Sequence, residues 1–219
     1  MLLAALFDYD GTLVDSDAAH YACWNQALRP FGFGIDESFY AVNCVGALSI
    51  QIARQIGHRY RLLPLSAQAL ADEKDALYEQ WIGVNILPLR PGVEELLEFL
   101  AQANIATGIV TGAPLAGIQK TLHDHGIDGY FKLAISREAV ARGKPAPDGY
   151  LVALRRLNVA GSAAVSFEDT RIGVLAAKAA GMRSFAIPSA FTAGQDFSAA
   201  DHVCSDMVAA RRLLQMELT

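Results

Sequence analysis

The stretch LLAALFDYDGTLVDSD, residues 2–17, predicts the first strand of this chain and the acidic residues that follow it. It begins with an apolar run typical of a buried strand and then places four aspartates within ten positions, Asp8, Asp10, Asp15 and Asp17. Asp8 and Asp10 are two residues apart, so both side chains project to one face of an extended chain. Because the carboxyl ends of strands border the ligand crevice in open parallel sheets, the stretch predicts two carboxylates at a site entrance. The alternative is a polar strand end followed by a turn at Gly11.

Strand and helix patterns alternate in the chain after residue 90. Predicted strands lie at 105–110, 132–135, 163–167 and 184–187, and predicted helices at about 91–103, 114–125, 148–157 and 171–180. This alternation predicts a parallel sheet covered by helices on both faces. The expected fold class is therefore α/β, with a doubly wound, Rossmann-like core.

The stretch from residue 16 to residue 88 interrupts that alternation with helical patterns and no convincing strand. Helical spacing links Tyr21, Trp24, Leu28 and Phe31, and Ser66 stands where it could cap a long helix. We therefore expect two domains, a core made of residues 1–15 and 89–219 and an inserted all-helical cap of residues 16–88.

The composition narrows the possible functions and locations. The 219 residues are 53% hydrophobic and 19% charged, which excludes disorder, and no apolar run approaches the roughly 20 residues of a membrane span. The net charge is −5, without the basic footprint of a nucleic-acid-binding protein. The run Leu2 to Phe7 is too short for a signal peptide, and the three cysteines lack paired spacing. We expect a cytoplasmic protein, either a monomer or a homodimer, that binds neither nucleic acid nor membrane.

Two acid pairs follow predicted strands. Asp8 and Asp10 follow the first strand, and Glu168 and Asp169 follow the strand at 163–167. Neighbouring carboxylates repel when ionised, so they either raise one pKa or recruit a cation, and Mg²⁺ is the expected hard cation with oxygen ligands. Asp169 or Thr170 could instead cap the following helix, a role compatible with metal binding.

Thr111 and Gly112 follow the strand at 105–110 in the sequence TGAP, where a hydroxyl and free backbone N–H groups could hold an anion. Ordinary turn and cap chemistry is the alternative. Lys144 lies in the loop RGKPAPDGY before a helix that Asp148 is expected to cap. A loop lysine is often only solvated, but beside carboxylates it would neutralise phosphate charge. Together with the acid pairs, these features indicate phosphoryl transfer.

The motifs DYDGTLVDS, VTGAP, GKPAPD and FEDTRIGVLAAKAAGM, in this order and spacing, resemble the four motifs of the haloacid dehalogenase-like hydrolase superfamily. The resemblance covers essentially the whole chain. The helical insertion is similar to that of the subgroup containing phosphoglycolate phosphatase, beta-phosphoglucomutase and small sugar phosphatases.

The resemblance implies roles for the residues of the first three motifs. Asp8 would be the nucleophile that becomes an aspartyl-phosphate, and Asp10 the general acid and then the base. Thr111 and the Gly112 amide would hold phosphate oxygens, and Lys144 would offset the charge of Asp8 and the phosphoryl group. Because true haloacid dehalogenases lack the acid equivalent to Asp10, its presence argues for phosphate-ester chemistry.

The resemblance also implies a Mg²⁺ site. Its ligands would be the Asp8 carboxylate, the Asp10 backbone carbonyl and Asp169, with Glu168 bound directly or through water. The implied activity is Mg²⁺-dependent hydrolysis of a small phosphorylated metabolite, a sugar phosphate or phosphoglycolate.

Two further functions compete with this interpretation. A beta-phosphoglucomutase-like phosphotransferase is one, because His20 occupies a position where that enzyme and several sugar phosphatases also have histidine, although packing at a hinge would also explain it. The stretch VGALSIQIARQIG lacks the arginine and serine pattern by which the mutases bind a second phosphate. A phospho-receiver signalling domain is the other, but it would have its acceptor on a middle strand and no helical insertion.

Overall fold

The computed structural model describes residues 1–60 and 66–218, so residues 61–65 of the predicted cap and Thr219 lie outside the described part. The chain divides into two compact units. One unit comprises Met1–Asp15 and Pro88–Thr219, and the other comprises Ser16–Leu87.

The described residues form six strands and nine α-helices. The strands are β1 Ala4–Phe7, β2 Ala106–Val110, β3 Phe131–Ile135, β4 Ala164–Glu168, β5 Arg183–Ala186 and β6 His202–Val203. The helices are α1 Asp17–Leu28, α2 Glu37–Asn43, α3 Ser49–Tyr60, α4 Ala67–Val84, α5 Val93–Gln102, α6 Leu115–Asp124, α7 Asp148–Leu157, α8 Arg171–Ala179 and α9 Met207–Leu218. Among them, no helix combines the length and the apolar character needed to cross a membrane.

All six strands belong to one parallel sheet in the order β3-β2-β1-β4-β5-β6. Strand β1 is central, with Ala4 opposite Ala106 of β2 and Ala164 of β4. The chain adds β2 and β3 on one side of β1 and then crosses to add β4, β5 and β6 on the other. This reversal creates a crevice at the carboxyl ends of β1 and β4, where ligands bind in doubly wound sheets. The predicted α/β class is confirmed.

Burial on both faces explains why β1 is a continuous apolar run. All four of its residues are fully buried. The Phe7 ring stacks on Phe167 with centroids 4.7 Å apart and meets the edge of Phe131 at 6.1 Å. Aromatic contacts of this kind add to the gain from apolar burial, so the strand that carries the first two aspartates is rigidly held.

The start of α5 differs from the prediction by two residues. The helix expected to begin at Pro91 begins at Val93, because Gly92 precedes it with a left-handed φ of 85°. A Cβ on Gly92 would lie 2.7 Å from the Val208 backbone nitrogen, so the close approach of α9 also requires glycine.

The described part of Ser16–Leu87 contains helices and no strand, as predicted. Ser66 caps α4, since its Oγ accepts a hydrogen bond of 3.0 Å from the Ala69 amide. Trp24 of α1 is buried.

Candidate active site

Three strand ends and one loop carry the polar side chains of the predicted site. Asp8 directly follows β1, Thr111 follows β2, and Glu168 is the last residue of β4 with Asp169 next to it. The Asp8 amide donates a 3.0 Å hydrogen bond to the Phe167 carbonyl, which continues the β1–β4 ladder by one residue. The backbone of Asp8 is therefore held by the sheet rather than by a loop.

Lys144 bridges two of the carboxylates. Its Nζ lies 2.8 Å from Asp8 Oδ1 and 2.6 Å from Glu168 Oε1, and its side chain is only 14% exposed. Burial alone would lower the pKa of Lys144, but the Asp8 and Glu168 carboxylates outweigh burial and raise it. The lysine is therefore a permanent cation inside the site, and it is not a solvated loop residue.

Burial dominates the titration of the two acids that Lys144 contacts. It raises the pKa of Asp8, to which the nearby Asp10 charge adds, while Lys144 opposes the rise. Burial also raises the pKa of Glu168, with help from the Asp8 charge, to about 7 even though Lys144 and Tyr150 act against it. The single Lys144 ammonium therefore does not outweigh the cost of burying the Asp8 and Glu168 carboxylates in their charged forms.

The carboxylates of Asp8, Glu168 and Asp169 form a cluster that fits a divalent cation. Their ligand oxygens lie within 4.8 Å of one another. Glu168 Oε2 is buried and has no hydrogen-bond partner among residues 1–60 and 66–218. With all three carboxylates ionised, as metal binding requires, the single Lys144 ammonium leaves two negative charges. An all-oxygen donor set with this excess charge suits a hard divalent ion such as Mg²⁺.

Asp169 is held by the turn that follows the first strand. Thr12 Oγ1 donates a 3.2 Å hydrogen bond to Asp169 Oδ1. A Cβ on Gly11 would overlap Asp169 Oδ2, and Gly11 itself has a left-handed φ of 72°. Gly11 is therefore needed both for the turn and for the approach of Asp169 to the site.

The structure separates the capping role from the carboxylate role at the start of α8. Thr170 is the N-cap, and its Oγ1 accepts a 3.2 Å hydrogen bond from the Gly173 amide. Of the two predicted capping candidates, Thr170 therefore supplies the cap, and the Asp169 carboxylate lies in the acidic cluster instead.

Two residues that the sequence interpretation missed contact Glu168. The Tyr150 hydroxyl donates to Glu168 Oε1, and a Cβ on Gly173 would overlap Oε2. Tyr150 lies in the quoted loop-and-helix motif and Gly173 in the first turn of α8. Their sequence positions carried a weak signal, because a tyrosine and a glycine in helices usually serve packing.

Thr111 takes part in turn chemistry and still offers a donor. Its Oγ1 accepts a 3.1 Å hydrogen bond from the Ala113 amide, which leaves its hydroxyl hydrogen able to bind an anion. Thr111 is buried and Gly112 is exposed, just before α6 begins at Leu115. The two interpretations of this motif are therefore compatible.

Asp148 does not cap α7 as expected. It is the first residue of the helix, and its carboxylate accepts hydrogen bonds of 3.1 Å and 3.0 Å from Arg142 Nε and Nη2. The forked guanidinium draws the side chain away from the helix amides and ties the two ends of the Lys144 loop together.

Asp10 and His20 lie in different units. Asp10 is partly exposed two residues after Asp8. His20 lies on α1 of the helical unit, where its ring stacks on Tyr78 with centroids 3.8 Å apart and an interplanar angle of 19°. The stack gives His20 a packing role, and phosphate binding by His20 stays a prediction.

Comparison with known proteins identifies relatives of this chain in sequence and in structure. The sequence model described as "Haloacid dehalogenase-like hydrolase" matches residues 5–187. Protein CbbY from Rhodobacter capsulatus is 32% identical over 95% of this chain and 95% of its own length. Fructose-1-phosphate phosphatase YqaB from Escherichia coli K12 is 32% identical over 81% of this chain and 92% of its own length. The crystal structure of CbbY from Rhodobacter sphaeroides in complex with phosphate has a TM-score of 0.81 at 27% identity, covering 94% of this chain and 95% of that one.

Proposed function

The chain belongs to the haloacid dehalogenase-like hydrolases, and from that premise we propose a Mg²⁺-dependent phosphatase that acts on a small sugar phosphate or on phosphoglycolate. Its class, a hydrolase of phosphate monoesters, follows from its relatives. The observation that carries the finer proposal is the buried Lys144 ammonium between Asp8 and Glu168. With the carboxylates of Asp8, Glu168 and Asp169 ionised, that arrangement leaves two negative charges for a divalent cation, and it places a cation beside the proposed nucleophile.

In the first step, an Asp8 oxygen attacks phosphorus in line, and the ester P–O bond breaks. The carboxylic acid of Asp10 gives its proton to the departing alkoxide. The product is an alcohol and an aspartyl-phosphate at Asp8. Rigid mounting of Asp8 on the sheet supports this role, because in-line attack tolerates little displacement.

In the second step, water attacks the phosphorus of the aspartyl-phosphate. The Asp10 carboxylate accepts a proton from the water, the acyl P–O bond breaks, and inorganic phosphate leaves. Asp8 is thereby regenerated as a carboxylate and Asp10 as an acid. The partial exposure of Asp10 supports this exchange of protons with solvent molecules.

Lys144, Thr111 and the Gly112 amide would bind the phosphoryl oxygens. Lys144 is charged in the buried site, and the Thr111 hydroxyl can donate while its oxygen accepts from Ala113. Donors fixed in advance stabilise the charge of the transition state without reorganising during the reaction.

The Asp8 carboxylate, the Asp10 backbone carbonyl, Asp169 and Glu168 would hold Mg²⁺, with Glu168 as a direct or water-mediated ligand. When bound, the ion would supply positive charge for the phosphoryl oxygens and favour the ionised form of Asp8. Glu168 Oε2 supports this assignment, because it is buried and has no hydrogen-bond partner among the described residues.

We also propose that the helical insertion, residues 16–88, acts as the cap of this family and carries specificity residues, His20 among them. The proposed partner is a small phosphorylated metabolite and not nucleic acid or a membrane. The proposed location is the cytoplasm, and the proposed state is a monomer or homodimer.

The test is phosphate release by protein stripped of metal and assayed with MgCl2 or with EDTA. The panel is p-nitrophenyl phosphate, fructose 1-phosphate, phosphoglycolate and beta-glucose 1-phosphate. We expect Mg²⁺-dependent release from at least one ester, loss of release in Asp8→Asn and normal release in Asp15→Asn, which removes an exposed carboxylate of the same stretch.

Three outcomes contradict the proposal in different ways. No release from any ester in the presence of Mg²⁺ would refute the phosphatase. Full activity of Asp8→Asn would refute the nucleophile. Conversion of beta-glucose 1-phosphate to the 6-phosphate would establish the phosphotransferase instead.

A further inference from the structure

The Tyr150 hydroxyl, which none of the proposed steps uses, donates a hydrogen bond to Glu168 Oε1. Building on the proposed function, we propose that Tyr150 is a positioning residue that holds the Glu168 carboxylate in the orientation needed to bind Mg²⁺. The carboxylate would be the ligand, and Tyr150 would act only through it.

Tyr150 is itself rigidly placed. It is 1% exposed and belongs to a buried apolar cluster with Val110 and Ile135, which end the neighbouring strands β2 and β3. A tyrosine has two side-chain torsions, and here the ring is enclosed on a helix that packs on the sheet. Its hydroxyl therefore occupies a fixed point, whereas a glutamate has three torsions and needs partners to keep one orientation.

Lys144 does not replace this contact. Its ammonium is shared, at 2.8 Å from Asp8 Oδ1 and 2.6 Å from Glu168 Oε1, and lies 5.6 Å from the centre of the Tyr150 ring. In the proposed reaction Lys144 also binds phosphoryl oxygens, so its position responds to substrate. The Tyr150 hydroxyl, by contrast, donates to Glu168 and takes no part in the proposed binding of phosphoryl oxygens.

The two oxygens of Glu168 have different surroundings as a result. Oε1 meets both the Tyr150 hydroxyl and the Lys144 ammonium. Oε2 has no hydrogen-bond partner among the described residues and lies against the bare Cα of Gly173. Holding Oε1 in place therefore also sets the direction in which Oε2 points, and Oε2 is the oxygen still able to bind a cation. Partners of this kind typically contribute 10-fold to 100-fold to metal affinity.

The test is calorimetric titration of MgCl2 into metal-free Tyr150→Phe, a change that removes the hydroxyl and keeps the ring. We expect the Mg²⁺ dissociation constant to rise about 10-fold. In phosphatase assays the Mg²⁺ concentration for half-maximal rate should rise by a similar factor, while the rate at saturating Mg²⁺ recovers toward that of the wild type.

The matched control is Thr107→Val, which also removes a buried hydroxyl and keeps the side-chain shape. The Thr107 hydroxyl donates at 2.5 Å to the carbonyl of Tyr130, so no carboxylate partner is lost. We expect both variants to lose thermal stability, but only Thr107→Val to keep the Mg²⁺ affinity of the wild type.

The inference fails if Tyr150→Phe binds Mg²⁺ within 2-fold of the wild type, or if Thr107→Val weakens binding equally, since either result would make the hydroxyl merely structural. A wild-type protein that binds no Mg²⁺ would refute the metal site of the proposed function and this inference together. The two failures are therefore distinguishable by the wild-type titration.

Discussion

Replacing Glu168 with Gln should stabilise the metal-free protein at pH 8 while removing a proposed metal ligand. Burial raises the pKa of Glu168 from 4.5 to about 7, so its ionised form is more costly in the folded state than in the unfolded chain. At about 1.4 kcal/mol for each pKa unit, the cost above pH 7 is about 3 kcal/mol. Glutamine has the same shape without the charge, so the variant should recover most of this energy.

The stability difference between the wild type and Glu168→Gln should depend on pH. Between pH 4.5 and pH 7 the folded state keeps the Glu168 proton that the unfolded chain has lost, so the wild type loses stability as pH rises through this window. Glu168→Gln lacks this loss. The variant and the wild type should therefore be about equally stable at pH 4.5 and should differ by about 3 kcal/mol at pH 8.

The assay is urea unfolding of metal-free protein at both pH values, followed by circular dichroism. Both tryptophans, Trp24 and Trp81, lie in the helical unit. Tryptophan fluorescence would therefore report on that unit and not on the unit that contains Glu168. Glu98→Gln, which removes an exposed glutamate from α5, is the control and should change stability little at either pH.

A Glu168→Gln variant that is less stable than the wild type at pH 8 would contradict this prediction, and so would an equal stability advantage at pH 4.5. Saturating Mg²⁺ should reverse the order at pH 8, because ligand binding stabilises only the protein that binds it. A variant that gains as much from Mg²⁺ as the wild type does would exclude Glu168 from the metal site.

Three further changes probe the same site. Lys144→Met leaves two buried carboxylates facing each other, so the rate of phosphate release should fall at least about 100-fold, and urea unfolding should show a larger stability loss at pH 8 than at pH 5. Gly11→Ala strains a left-handed turn and crowds Asp169, so the melting temperature should fall. Calorimetry should also detect weaker Mg²⁺ binding, and a Mg²⁺ affinity equal to that of the wild type would contradict the role of the turn. Thr170→Ala removes a helix cap, so chemical unfolding should show a loss of about 1 kcal/mol while the KM for the ester stays unchanged.

The strands of the core could be predicted because a parallel strand buried on both faces leaves a local mark, a short apolar run between turn signals. Each of the four predicted strands has a counterpart in the sheet, at β2, β3, β4 and β5. Strand β6 has two residues, His202 and Val203, and leaves no such mark. Its pairing depends on the neighbouring β5, which the local pattern does not contain.

Helix ends were less predictable where a cap depends on distant contacts. Ser66 could be identified as a cap because its partner, the Ala69 amide, is three residues away. Asp148 looked equally suited to cap α7, but the guanidinium of Arg142 competes for its carboxylate. The start of α5 moved past Pro91 because packing of α9 against Gly92 selects the backbone conformation there.

The residue types at the strand ends could be predicted from the sequence, since the spacing of Asp8 and Asp10 and the order of the motifs are local properties of the chain. Which of these groups contact one another depends on the folded arrangement of the strands and loops. Lys144 joins Asp8 to Glu168 across a sequence separation that no periodic pattern reports, and Tyr150 reaches the same carboxylate from a helix. The charge balance of the site and the raised pKa of Glu168 depend on burial and on these distances, and both exist only once the sheet has brought the strand ends together.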